Sequence, residues 1–242
     1  MENLIIITGC SQGLGKALTA LYCQDGRNRV VGVSRTGLTL GFANFENLKI
    51  DLSDLQMVKS NLDKIFPRGD FDNLVLVNNA GWIGEIRHFG NLSADAISQI
   101  HQINTVAPAI LMNEFVKRYK DSPSRKTVVN ISSGAAAKNI DGWSGYSSSK
   151  AALNRYTEIA EEESEMSNWG IKFYALSPGI IDTGMQQDIR SAKAEEFSRV
   201  EAFRGFKENE ELASPEEVAE KVKYLIDNRD NFKEVLQDVR QF

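Results

Sequence analysis

The sequence predicts an α/β fold: a doubly wound parallel sheet with helices on both faces, in a single domain spanning residues 1–242. Three observations predict it. Short apolar runs rich in β-branched residues alternate with longer amphipathic segments along the chain. The first apolar run passes directly into a glycine-rich turn and then a helical stretch, the opening of a βαβ unit. The 242 residues fit one domain with a core large enough to need no staples.

The elements follow in order. Leu4-Ile5-Ile6-Ile7 is a continuous apolar run, which suits a strand buried on both faces. Thr8-Gly9-Cys10-Ser11-Gln12-Gly13-Leu14-Gly15 is the turn, and Lys16 to Gln24 reads as a helix. Residues 29–34 and 48–51 give the second and third strands. Leu55 to Phe66 reads as one amphipathic helix with Leu55, Val58, Leu62 and Ile65 on its apolar face. Residues 74–77 form the fourth strand, and a long helical segment runs from about Ala94 to Tyr119. Residues 127–131 form the fifth strand, Tyr146 to about Met166 a helix, and residues 171–176 the sixth strand. Ser214 and Pro215 are suited to the cap and first turn of a helix over 215–227. Residues 234–239 suit a short last strand. This alternation predicts a Rossmann fold, in which ligands bind beyond the carboxyl ends of the strands where strand order reverses.

Composition narrows the function classes. A net charge of -5 argues against nucleic acid as the main partner. Cys10 and Cys23 are too few for a disulfide framework and read as reduced thiols, which with the strand at the N-terminus predicts a cytoplasmic protein. His88 and His101 are the only histidines and neither lies near a cysteine, so no metal site is expected. No apolar run approaches the roughly 20 residues of a membrane span.

Chemistry concentrates at two places. Tyr146 and Lys150 are four residues apart and share one helix face. A free tyrosine has a pKa of about 10, and a fixed ammonium beside it stabilises the phenolate and lowers that value, which makes a proton donor usable near neutrality. The same spacing also occurs on solvated helix faces. The second place is the turn Gly9-x-x-x-Gly13-x-Gly15, whose glycines let the backbone approach a pyrophosphate while the following helix offers free N–H groups.

Taken with three further motifs, these residues resemble the short-chain dehydrogenase/reductase family over essentially the whole chain. Thr8-Gly9-x-x-x-Gly13-x-Gly15 is similar to its cofactor turn, and Asn78-Asn79-Ala80-Gly81 to its Asn-Asn-Ala-Gly motif. Asn130-Ile131-Ser132-Ser133 is similar to its fifth-strand end, with Ser133 13 residues before Tyr146. Ser177-Pro178-Gly179 followed by Thr183 resembles the segment that closes over the nicotinamide. The resemblance implies that Tyr146 is the general acid and that Lys150 lowers its pKa and holds the nicotinamide ribose. It implies that Ser133 binds the substrate oxygen and that Asn104 supports Lys150 through a water. Ser132 competes for the role of Ser133, and spacing favours Ser133. The resemblance further implies cofactor contacts from Gly9, Ser11, Gln12, Gly13, Leu14 and Gly15; from Asp51 and Leu52; from Asn78, Ala80 and Gly81; and from Pro178, Gly179, Ile181 and Thr183.

Cofactor choice is read at the end of the second strand. An acidic residue there would bind ribose hydroxyls and repel a 2′-phosphate; here Ser34 and Arg35 stand instead, and a guanidinium pairs with phosphate. NADP(H) is therefore expected. The region from about 180 to 213 is expected to form a lid over the substrate. Ala135, Trp143 and Met185, with Ser133 and Tyr146, are the expected substrate contacts, joined by Trp82 and Ile83 as pocket walls. Their bulk suggests a small aromatic or apolar carbonyl compound.

Residues 127–136, Gly142-Trp143-Ser144-x-Tyr146 and 177–186 resemble the sepiapterin-reductase-like branch, particularly bacterial benzil reductases. That resemblance implies an NADPH-dependent carbonyl reductase acting on a small aromatic ketone or 1,2-diketone. A sepiapterin-type or 3-oxoacyl reductase and a non-catalytic NADP-binding sensor are the alternatives. The resemblance also implies a homodimer through the helix that begins at Tyr146. The family's glycine-rich C-terminal tail is missing, which leaves a homotetramer as the second assembly.

Overall fold

The computed structural model describes residues 2–242. Among these residues one seven-stranded sheet forms, with every strand parallel to its neighbours in the order β3-β2-β1-β4-β5-β6-β7. The strands are β1 (Glu2–Thr8), β2 (Asn28–Ser34), β3 (Phe45–Lys49), β4 (Phe71–Asn78), β5 (Arg125–Ile131), β6 (Ile171–Ser177) and β7 (Leu236–Asp238). From β1 the chain builds outward to β2 and β3, then returns across β1 to begin again at β4. The strand order therefore reverses between β1 and β4, which opens a crevice above their carboxyl ends. Leu4, Ile5, Ile6 and Ile7 are at most 2% exposed, as a central strand covered on both faces requires.

The two faces carry separate cores. On one, α1 (Gly13–Cys23) and α9 (Pro215–Asp227) bury Leu14, Leu18, Val218, Val222 and Leu225 against Ile5, Ile7 and Val129. On the other, α5 (Ala107–Tyr119) buries Leu111 and Phe115 against Leu4, Ile6, Leu76 and Val128. Ser214 caps α9 as expected, and Glu217 makes the cap reciprocal, each side chain accepting the other's backbone N–H. No helix among the described residues is long and apolar enough to cross a membrane.

Two expected helices are broken. The segment 55–66 is not one helix but α2 (Leu55–Ser60) and α3 (Leu62–Ile65), interrupted at Asn61. The Asn61 side chain donates to the Met57 carbonyl at 2.9 Å and so competes with the helical ladder. The segment 94–119 is divided into α4 (Ala94–His101), a π-helical turn over Gln102–Val106 and α5. Pro108 lies four residues after Asn104 and has no N–H to give the Asn104 carbonyl, so the α ladder fails there. The π turn takes up the mismatch and contains Asn104.

The remaining helices are α6 (Ser144–Met166), α7 (Gly184–Arg190) and α8 (Val200–Glu208). The last strand is shorter than expected, because Asp238 caps a following turn by accepting the Arg240 backbone N–H.

Candidate active site

The crevice begins as a clamp between β1 and β4. The Thr8 hydroxyl accepts the backbone N–H groups of Asn79 and Ala80, both at 3.0 Å. The Asn79 side chain donates back to the Thr8 and Gly9 carbonyls at 2.9 and 3.3 Å. Gly9 turns at φ +68°, and a Cβ there would lie 2.8 Å from the Ala80 Cα. A Cβ on Gly15 would lie 2.1 Å from the Gly9 carbonyl oxygen, so this glycine lets α1 close onto the turn. The result is a cleft of about 580 Å³.

The structure gathers most of the expected cofactor residues along that cleft. Gly9, Ser11, Gln12, Gly13 and Leu14 line it from the turn, Ser34 and Arg35 from the end of β2, and Asp51 and Leu52 from beyond β3. Ala80 and Gly81 contribute from beyond β4, and Pro178, Ile181, Thr183 and Met185 from beyond β6. Arg35 is exposed and makes no ion pair among the described residues. The Asp51 carboxylate accepts from the Ser53 backbone N–H and hydroxyl at 2.9 and 2.7 Å, which fixes the loop after β3.

Three expected cofactor residues lie elsewhere. Asn78 is 1% exposed and donates to the Asn130 side chain at 2.9 Å, inside the sheet. Its neighbour Asn79 lines the cleft instead, since successive strand residues face opposite ways. Gly15 serves the packing of α1, and Gly179 turns at φ +71° near Val239 without lining the cleft. Conversely, Asn79, Thr36, Gln99 and Ile103 line the cleft and were not expected. The doubled asparagine after the fourth strand was the one signal that could have pointed to Asn79.

At the deep end stand Tyr146 and Lys150, one turn apart on α6 and 7% and 3% exposed. The Lys150 ammonium lies 5.9 Å from the Tyr146 ring centroid and donates to the Ile131 carbonyl at 2.7 Å. Burial lowers the Lys150 pKa to about 8. Burial also raises the Tyr146 phenol above its ordinary value, and the Ser133 hydroxyl opposes that rise.

The two serines at the end of β5 separate cleanly. Ser132 donates to Asn154 at 2.5 Å and is committed to α6. Ser133 accepts the Ala135 backbone N–H at 3.1 Å, and its hydroxyl pairs with the Tyr146 phenol rather than with α6 residue Asn154. Asn104 is fully buried in the π turn. It accepts the Trp82 N–H at 2.9 Å and donates to the Trp82 carbonyl and to the Ser149 hydroxyl at 2.8 and 3.0 Å. It thus ties the loop after β4 to the Tyr146 helix.

Ser133, Ala135 and Trp143 do not line the cleft, whereas Ser132 does; Ser133 touches it only through Tyr146, and Ala135 and Trp143 are buried in an apolar cluster beside Tyr146. Trp143 meets Tyr146 edge-on, stacks on Phe197 at 5.3 Å and 24°, and tilts against Phe203. Its indole N–H is buried with no hydrogen-bond partner among the described residues, a state that costs about 1–3 kcal/mol.

The segment carrying Phe197 is pinned from two sides. Glu196 accepts the His88 backbone N–H at 2.7 Å and the Asn91 side chain at 2.9 Å. Asp141 accepts the Ser198 N–H and hydroxyl at 2.7 and 2.9 Å. These bonds hold both carboxyls below their ordinary values. A second cavity, of about 950 Å³, opens between residues 82–91 and 188–196 and shares Trp82 and Asp188 with the cleft.

Known proteins bear on this arrangement. A family model described as short chain dehydrogenase matches residues 3–194. A benzil reductase ((S)-benzoin forming) of Bacillus subtilis is 36% identical over 220 residues, 90% of each chain. A benzil reductase ((S)-benzoin forming) of Bacillus cereus is 32% identical over 93% of this chain and 94% of its own. The crystal structure of a short chain dehydrogenase/reductase from Saccharomyces cerevisiae superposes with a TM-score of 0.80 at 25% identity, covering 98% of this chain and 96% of the other.

Proposed function

From a chain that belongs to the short-chain dehydrogenase family, and is thereby an oxidoreductase of carbonyl and hydroxyl groups that uses a nicotinamide cofactor, we propose an NADPH-dependent reductase of small aromatic ketones and 1,2-diketones. The observation that carries the proposal is the meeting of Tyr146 and Lys150 in a cleft built on the β1–β4 reversal, with the Ser133 hydroxyl on the Tyr146 phenol.

The cleft suits a dinucleotide. The close approach of Gly9 to Ala80 leaves the turn backbone open toward the cleft, and α1 starts at its rim. Gly13 and Leu14 would receive the pyrophosphate, Asp51 and Leu52 the adenine side, and Lys150 the nicotinamide ribose. Arg35, exposed and unpaired, would receive a 2′-phosphate, and no acidic side chain stands at Ser34 to repel it. Pro178, Ile181 and Thr183 would close the nicotinamide end. When bound, NADPH supplies the hydride.

The chain's own residues do the rest. Ser133 donates to the substrate carbonyl oxygen and stabilises negative charge as it grows there. Tyr146 protonates that oxygen, so that ketone, hydride and proton become alcohol. Lys150, as ammonium, favours the phenolate left behind. Asn104 holds the Trp82 loop against α6 and keeps the acid in register. Residues 180–213, with α7 and α8, form the wall over the substrate. Exposed Tyr156 and Ile159, neighbours on α6, support a homodimer through that helix.

The test is NADPH oxidation on mixing the protein with benzil, followed by chiral analysis of the benzoin. Turnover with Tyr146-dependent kinetics is expected. Tight NADPH binding without reduction of any aromatic ketone would refute the reading.

A further inference from the structure

We infer that a third cavity, beside the cofactor turn, binds a phosphate-type anion through Arg190 and Lys16. The inference does not depend on which ketone is reduced.

The cavity has a volume of about 460 Å³, within the range of small-molecule sites. It lies between α1, α7, α8 and the start of α9, and it adjoins the cleft at Gly13, Thr183 and Gly184, which line both. Three cations line it: Lys16 from α1, Arg190 from α7 and Lys207 from α8. Two carboxylates stand among them. Asp182 is committed to Lys207 at 2.7 Å. Glu216 is exposed and makes no ion pair among the described residues. One positive charge is left in excess, and Arg190 and Lys16 carry it.

Arg190 is the group that points to a ligand. Its guanidinium makes no hydrogen bond or ion pair with any described residue, and its Nη1 is fully enclosed. A guanidinium can only donate and stays charged. Enclosing such a group without a partner is costly, and buried polar atoms are nearly always paired. Lys16, on the facing helix, is exposed and likewise makes no ion pair among the described residues.

The arrangement favours a phosphate over a carboxylate. The planar guanidinium fork matches two phosphate oxygens, and an ammonium acts as a point charge on a third. A tetrahedral anion presents oxygens in several directions, so it can meet Lys16 on α1 and Arg190 on α7 at once. Bound there, it ties α7, part of the 180–213 wall, to the helix that begins at the cofactor turn. The phosphate has two possible sources. One is a free phosphate or phosphomonoester from solvent. The other is the pyrophosphate of the dinucleotide, reached across the shared Gly13 and Thr183.

The experiment compares the wild type, Arg190→Gln and Lys16→Gln. Thermal midpoints of the cofactor-free protein are measured in about 20 mM inorganic phosphate and in chloride of equal ionic strength. NADPH and NADH affinities are measured by fluorescence titration. Lys16 is exposed, so its variant keeps the fold and carries the test even if Arg190→Gln is unstable. For a free phosphate, the wild type should gain about 2 °C or more over chloride, and each variant should lose most of that gain. For the cofactor's pyrophosphate, phosphate gives no gain, and Arg190→Gln should weaken NADPH and NADH alike, roughly tenfold, because both carry that group. Lys16→Gln should then act in the same direction. Equal phosphate gains in the wild type and both variants would put the anion elsewhere. A loss confined to NADPH would assign Arg190 to the 2′-phosphate. Either result, or no phosphate gain together with unchanged dinucleotide affinities, would overturn the inference and leave the reductase reading standing.

Discussion

Lys150 directs its ammonium to the Ile131 carbonyl at 2.7 Å, the residue that ends β5 just before the two serines. One hydrogen bond thus couples the helix carrying Tyr146 to the strand end carrying Ser133. The proposed acid and the proposed oxyanion donor are held by different elements, and their register depends on that tie and on the Asn104 bonds across α6.

Replacing Tyr146 with Phe removes the proposed proton donor and keeps the ring contact with Trp143. General acid catalysis contributes about 10²–10⁴ in rate. The variant is expected to lose that factor in kcat for benzil while NADPH affinity changes little, as stopped-flow turnover and fluorescence titration would show. Full turnover would remove Tyr146 from the chemistry.

Arg35→Ala tests cofactor choice. A charge-assisted bond to a phosphate contributes about 1.5–3 kcal/mol. The KM for NADPH should rise roughly tenfold to a hundredfold, while the KM for NADH stays near its starting value. Undiminished NADPH preference would move the 2′-phosphate contact to another residue.

Lys150 gives a pH signature. Its pKa is lowered to about 8 by burial, so the side chain is charged below that pH and neutral above it. Affinity for the anionic cofactor should therefore be full near pH 7 and fall as pH rises through about 8. The same lowering means that the unfolded chain binds the extra proton between about 8 and the ordinary lysine value, so this group's contribution to stability rises with pH across that window. Lys150→Met should flatten the NADPH-affinity profile, measured by titration from pH 7 to 9.5. An unchanged slope in the variant would assign the titration to another group.

Gly142→Ala tests the clasp over Trp143. Its φ is +74° and the added methyl would meet the Glu196 carbonyl. Strain of this kind costs about 1–3 kcal/mol, so the thermal midpoint should fall by several degrees and KM for benzil should rise more than kcat falls. Hydrogen exchange over 194–203 should quicken. Unchanged protection there would show that the clasp does not hold that segment.

The chain by itself determined the strands, their alternation with helices, the glycine turn and the Tyr146–Lys150 pair. These depend on apolar periodicity and short spacings, which are written locally. Even there, the 55–66 helix broke at Asn61 because a side chain competed with the ladder, and the 94–119 segment took a π turn because of Pro108. Only the tertiary structure decided that Asn79 and not Asn78 faces the cleft, since that depends on which face of β4 the clamp from Thr8 meets. It alone tied Ser132 to Asn154, set Ser133 against Tyr146, and turned Trp143 from an expected cleft wall into a buried ring. Those outcomes come from contacts between segments far apart in sequence, whose partners no local pattern names.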